Sequence, residues 1–239
     1  MKTGICVFDL HYPNHDKILF DNILKVAKDI KSDIFLFGGD NMDMLPVNPH
    51  IAKKNGIRPI EFKRLKGEYD SFQTEILNRI NVENKIWLYG NHEDWIEQGI
   101  DTDPQRLEGM IEVEHNLDLS EWVKIPVNKY YKIGKLYFTH GQYTNDAVAK
   151  KTVTAYEKSV IFGHSHGFQV YTKNSPVDQE PHAAYQCPCA CLKNPDYQRN
   201  RPSNWVNGFG VFYIANNGYF NFYPAISIKG KFIFNGKQY

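Results

Sequence analysis

The stretch Asp33-Ile34-Phe35-Leu36-Phe37-Gly38-Gly39-Asp40 decides the fold. An unbroken apolar run with turn formers at its end reads as a strand buried on both faces of a sheet, as the strands of α/β proteins are. The glycines let the backbone turn sharply, so Asp40 is presented at the sheet's carboxyl edge. The same design recurs on both sides. Thr3-Gly4-Ile5-Cys6-Val7-Phe8 ends on Asp9, and Lys85-Ile86-Trp87-Leu88-Tyr89 runs into Gly90-Asn91-His92. Further on, residues 135–139 lead to His140-Gly141 and residues 159–162 to Gly163-His164. Between the first two strands, Ile18, Leu19, Ile23, Val26, Ala27 and Ile30 recur at three- and four-residue steps, which predicts an amphipathic helix over 18–30. Another helix is expected from 68 to about 80, after a loop-like stretch over 42–66.

The polar residues at these strand ends carry the chemistry. In chain order they are Asp9-x-His11, Gly39-Asp40-x-x-Asp43, Gly90-Asn91-His92-Glu93, His140-Gly141 and Gly163-His164-x-His166. Imidazole, carboxylate and amide oxygen together suit first-row divalent ions such as manganese, iron, zinc or nickel, whereas calcium favours an all-oxygen site. The ligand count implies two ions, with Asp40 the candidate bridge. Two cations about 3.5–4 Å apart can hold a hydroxide nucleophile and clamp a phosphate. His92 is the candidate proton donor to the leaving oxygen, because an imidazole carries a proton near neutral pH. Either Glu93 or Asp43 would orient it. Taken singly, Asp9 could be a helix cap and Asn91 a turn former. Neither role explains why such residues stand at five successive strand ends.

These five blocks, in this order, resemble the calcineurin-like metallophosphoesterase superfamily, whose pattern is D-x-H, G-D-x-x-D, G-N-H-D/E, H and G-H-x-H. The resemblance covers residues 5–167. It implies a four-layer αββα sandwich with two mixed sheets and a metal site at the carboxyl ends of the strands. It assigns one metal to Asp9, His11, Asp40 and His166, the other to Asp40, Asn91, His140 and His164, and makes His92 the acid. It also implies that the short strands expected at 210–215, 219–223 and 225–228, set off by Asn217-Gly218, Lys229-Gly230 and Asn235-Gly236, are similar to the second sheet closing the sandwich. The implied activity is hydrolysis of phosphodiesters, of nucleic acid or nucleotides, by metal-bound hydroxide. The alternatives are a phosphomonoesterase acting on phosphoprotein or a small ester, and a metal-bearing scaffold without turnover.

Composition bounds the remainder. The 239 residues suit one domain spanning 1–239, with insertions or cap segments near 42–80 and 94–130 and a long Pro- and Asn-rich loop near 173–205. The balance of 28 basic against 27 acidic residues gives no global attraction to nucleic acid or to an anionic membrane. No apolar run has the length of a membrane span, and a cytoplasmic location is expected. A local basic stretch, Lys53, Lys54, Arg58, Lys63, Arg64 and Lys66, and Arg199 and Arg201 near Trp205, would either line a solvated face or grip a polynucleotide. Cys187, Cys189 and Cys191 lack the paired spacing of a structural zinc site and read as free thiols in an extended segment. His15, His50, His115 and His182 read as ordinary surface or core histidines.

Overall fold

The computed structural model describes residues 1–48, 59–102, 104–174, 176–177, 180–195 and 202–239. Its two large sheets are both mixed. The first is built on β1 (Lys2–Val7), β2 (Ile34–Phe37), β3 (Asn84–Leu88) and β4 (Trp122–Ile125), paired in parallel in that order. The second contains β5 (Tyr131–Ile133), β6 (Leu136–Phe138), β7 (Ser159–Phe162), β8 (Val170–Lys173) and β9 (His182–Gln186), in the order β5-β6-β7-β9-β8.

Alternation along the strands makes the layers. On the first sheet Cys6, Phe8, Ile34, Leu36, Ile86 and Leu88 face Leu136, Phe138 and Ile161 of the second and form the inner core. Their neighbours Ile5, Val7, Phe35, Phe37 and Trp87 point the other way, as the two-residue period of a strand requires. They pack on helix α1 (Lys17–Asp29) through Leu19, Phe20, Ile23 and Val26, and on α2 (Pro59–Glu75) through Leu65, Tyr69 and Phe72. On the far side, Val160 and Phe162 pack on Val148, Ala149 and Val153 of α6 (Val148–Tyr156). Between α2 and α6 lie α3 (Asn91–Thr102), α4 (Pro104–Leu107) and α5 (Val113–Asn116). The layers are helix, sheet, sheet, helix. Among the described residues no helix is long and apolar enough to cross a membrane.

Three expectations are corrected. The closing hairpin does not build the second sheet: β10 (Gly208–Ile214) pairs antiparallel with β1 and extends the first, followed by β11 (Phe220–Ile226). Hairpin turns specify that two strands pair, not which sheet receives them. The two strands expected at 219–223 and 225–228 are one strand, β11, running through Pro224, which an edge strand tolerates because a proline there need not donate into the ladder. The final pair, β12 (Ile233–Phe234) and β13 (Lys237–Gln238), turns at Asn235-Gly236 as read. Lastly, the stretch expected as a long loop over 173–205 contains β9, whose sequence His-Ala-Ala-Tyr-Gln shows little apolar character although Ala183 and Ala184 are buried.

Candidate metal centre

Five strand ends meet at one place. β1, β2 and β3 of the first sheet deliver Asp9 with His11, Asp40, and Asn91 with His92; β6 and β7 of the second deliver His140, and His164 with His166. The loops after β1 and β2 are laced together, since the amides of Asp9, His11 and Tyr12 donate to the carbonyls of Gly39, Asp40 and Asn41 at 3.1, 2.9 and 3.0 Å. Asp9, His11, Asp40, His164 and His166 have φ of 51°, 51°, 50°, 74° and 56°. Left-handed backbone is uncommon for residues with a Cβ and concentrates at functional sites. The glycines make room: a Cβ on Gly90 would lie 2.1 Å from an Asp40 carboxylate oxygen, and one on Gly163 would lie 2.5 Å from that of Asp9.

The side chains gather in two groups. Ligand atoms of Asp9, His11 and His166 lie within 4.8 Å of one another, and so do those of Asp40, His140 and His164. In the first group His11 Nε2 is 3.0 Å from His166 Nε2, and His166 Nε2 is 3.6 Å from an Asp9 oxygen. In the second, His140 Nε2 is 3.1 Å from Asn91 Oδ1, 3.2 Å from His164 Nδ1 and 3.2 Å from Asp40 Oδ2. Asp40 Oδ2 stands between the groups, 3.9 Å from His11 Nε2. All eight residues singled out in the sequence lie in this one cluster, His92 joining it with Nε2 3.7 Å from Asp40 Oδ2.

Hydrogen bonds fix which nitrogens face inward. His140 Nδ1 meets the Gly38 carbonyl at 3.0 Å, His92 Nδ1 the Asp43 carbonyl at 2.7 Å, and His11 Nδ1 the Asp43 carboxylate at 3.2 Å. A carbonyl oxygen only accepts, so Nδ1 of His140 and of His92 bears the proton and Nε2 of each is left to face the cluster, the arrangement that orients metal-binding imidazoles. Asp43, itself held by Asn14 at 2.8 Å, is therefore the residue that orients His92. Glu93 does something else: its buried carboxylate accepts from the amides of Asp40 at 3.0 Å, Asn41 at 2.7 Å, Met42 at 3.3 Å and Gly90 at 2.8 Å. It clamps the Asp40 loop to the start of α3.

The electrostatics suit a cation. Burial disfavours charge on His140, but Asp40 and Asp9 outweigh it and push its pKa up to about 10. Burial likewise opposes ionisation of Asp40, yet His140 and His92 hold its carboxyl well below the usual range. Burial raises Asp9 to about 7, raises Glu93 to about 7 with Asp40 adding to it, and lowers His92 to about 4 against the pull of Asp40. His164 is lowered to about 4 by burial and by His140. The potential that keeps a proton on His140 would equally hold a divalent ion among the same oxygens and nitrogens. The donor set fits such an ion, being nitrogen and oxygen, with the far nitrogens of His11 and His140 tied down.

Other residues met here were not read from the sequence as part of the site. Trp95, one helical turn beyond His92, lies with its ring 3.9 Å from the His92 ring, and Trp205 lies 4.2 Å from the ring of His166. His11, Asp43, Leu45, Asn48, His92, Trp95, His166 and Trp205 line a cavity of about 270 Å³. The i,i+3 spacing of His92 and Trp95 was the available signal; nothing local links Trp205 to His166. The cysteines are free thiols, as read, but all are buried, and the sulfurs of Cys189 and Cys191 lie within 4.8 Å of a His166 ring nitrogen. Of the basic stretch, Lys63, Arg64 and Lys66 are exposed on α2 and Arg64 pairs with Glu68 at 2.9 Å, the solvated-face reading. Lys53, Lys54, Arg58, His50, Arg199 and Arg201 lie outside the described residues. His15 stacks on Tyr12, His115 pairs with Glu112 and His182 lies in β9, all outside the cluster.

Fold and site together define an α/β sandwich with a histidine, carboxylate and amide cluster where two sheets meet. No family model matches the sequence, and no curated protein matches it. Among solved structures, Vps29 of Entamoeba histolytica is 14% identical and covers 99% of this chain and 96% of its own, with a TM-score of 0.45. A Streptococcus pneumoniae protein described as a predicted phosphoesterase is 11% identical, over 100% of this chain and 97% of its own, at 0.42. The nuclease MPE of Pseudomonas putida is 8% identical, over 87% and 83%, at 0.39. At such identities none passes an activity to this chain, and what the chain can do follows from its own side chains.

Proposed function

We propose that the protein is a divalent-metal-dependent phosphoesterase that hydrolyses phosphodiesters, of nucleic acid or nucleotides, at the Asp40 centre. The observation that carries this is Asp40 Oδ2 lying between two imidazole groups, with His92 Nε2 3.7 Å away and Asp9 and Asn91 completing the donors. Asp9, His11, Asp40 and His166 would hold one ion and Asp40, Asn91, His140 and His164 the other, with manganese preferred and iron, zinc or nickel suited to the same donors. Such a pair supplies Lewis-acid polarisation of the phosphate and a water acidic enough to attack at neutral pH.

The chain's own groups do the rest. Glu93 and the lacing of the first two loops hold the Asp40 carboxylate in place. Asp43 pins the His92 ring through Nδ1, which leaves Nε2 to carry a proton to the departing oxygen. Burial lowers His92 to about 4, and a phosphate anion seated beside it would favour the protonated ring.

The size of the cavity favours a second reading, a phosphomonoesterase acting on a small ester, since about 270 Å³ is compact beside the roughly 300–1,000 Å³ of most small-molecule sites. The two are separated by assaying the manganese-loaded protein on bis-p-nitrophenyl phosphate, p-nitrophenyl phosphate and short oligonucleotides. Turnover of the diester and of oligonucleotides is expected. Activity confined to the monoester overturns the diesterase reading, and no turnover with manganese, nickel, iron or zinc overturns the enzyme in favour of a scaffold.

A further inference from the structure

The cavity beside the cluster is lined by both polar and aromatic side chains. His11, Asp43, His92 and His166 of the proposed metal centre line it together with Trp95, which lies on His92, Trp205, which lies against His166, and Leu45. Both tryptophans are held before any ligand arrives. Trp95 is nearly buried on α3, its plane tilted 30° to the His92 ring that it covers. Trp205 is partly open to solvent, its plane at 73° to His166. The backbone beside it is anchored: the Val206 amide donates to the His166 carbonyl at 2.8 Å, and the Val206 carbonyl accepts from the Cys189 amide at 2.9 Å.

Two ordered indoles at the edge of a phosphate-binding centre make a poor surface for a charged or flexible group and a good one for a flat ring. An aromatic ring buries apolar area against them without losing many rotamers. Stacking tolerates any base because each presents a π-face. Leu45 and Asn48, on and just after a short turn of helix, close the third side. The volume of about 270 Å³ admits one base or aryl ring.

We propose that this cavity is a subsite for a flat aromatic group joined to the phosphate, a nucleobase or an aryl ring, with Trp205 and Trp95 as its specificity-determining walls. The proposal rests on the phosphoesterase reading for the phosphate and adds what is attached to it. It also places Trp95 as a positioning residue for His92, on which its ring lies.

The test is equilibrium binding by isothermal titration to the manganese-loaded protein. The probes are adenosine 5′-monophosphate against ribose 5-phosphate, and phenyl phosphate against methyl phosphate. The aromatic member of at least one pair should bind about tenfold more tightly. Trp205→Ala should abolish that advantage and Trp205→Phe should retain most of it, with circular dichroism reporting that both variants fold. An advantage for adenosine 5′-monophosphate points to nucleotides, and one confined to phenyl phosphate to aryl esters; either supports the subsite. Equal binding within both pairs, or an advantage that survives Trp205→Ala, overturns it. If those results accompany normal ester turnover, the subsite alone fails. An aromatic advantage lost in Trp205→Ala in a protein that turns over no ester keeps the subsite and sinks the hydrolase. Binding of none of the four overturns both.

Discussion

Glu93 shows what one residue can carry. Its carboxylate gathers four backbone amides from two loops, and a glutamine in its place offers one acceptor oxygen and turns an NH₂ toward donors. Glu93→Gln should lower the stability of the chelated protein by about 1–3 kcal/mol, read from denaturant midpoints. An unchanged midpoint would mean that the clamp contributes nothing. His92 makes a different prediction. If it protonates the leaving oxygen, His92→Ala should cost about 10²–10⁴-fold in kcat on a diester with an alkyl leaving group and much less on one releasing p-nitrophenolate, which needs no proton. Equal losses on both would remove it from that role. The identities of these residues were legible in the sequence, but their partners were not. The choice between Glu93 and Asp43 depended on the turn after β2, which brings the Asp43 carbonyl to the imidazole from 49 positions away in the chain.

At the scale of elements, strand ends were readable because burial on both faces leaves an apolar run that stops abruptly at glycine. Gly90 and Gly163 show why those glycines are needed: each lies against the carboxylate delivered by another strand. Gly90→Ala should therefore displace Asp40 and weaken metal binding while leaving the circular dichroism spectrum unchanged; full metal occupancy in the variant would contradict this. α1 illustrates the reverse case, an element whose start is set locally. Asp16 caps it by accepting from the Leu19 amide at 3.0 Å, and Asp16→Ala should cost about 0.5–2 kcal/mol in a denaturant titration. β9 and the early start of α2 escaped the reading. A short strand between two partners is stabilised by its neighbours more than by its own residues, and α2 has a weakly segregated sequence whose buried face is defined by distant partners such as Tyr12, Phe37 and Trp87.

The whole molecule is organised by a seam. Asp9, His11, Asp40 and Asn91 come from the first sheet and His140, His164 and His166 from the second, so ions bound among them would tie the two halves of the inner core together. The convergence of the strand ends on one place was expected from the sequence, whereas their division between two sheets and the destination of the closing hairpin were not, because pairing of β10 with β1 joins residues more than 200 positions apart. Metal that binds only the folded chain stabilises it by mass action, about 2.7 kcal/mol at a free concentration a hundredfold above Kd. Chelation should lower the thermal midpoint and manganese should restore it. The most direct measurement is the divalent metal content per chain together with bis-p-nitrophenyl phosphate hydrolysis, for the wild type and Asp40→Ala. Two ions per wild-type chain are expected, with hydrolysis lost on chelation and regained with manganese, and neither the full complement nor turnover in Asp40→Ala. A wild-type chain that holds no divalent ion, or that hydrolyses the diester equally well after chelation, contradicts the metal centre.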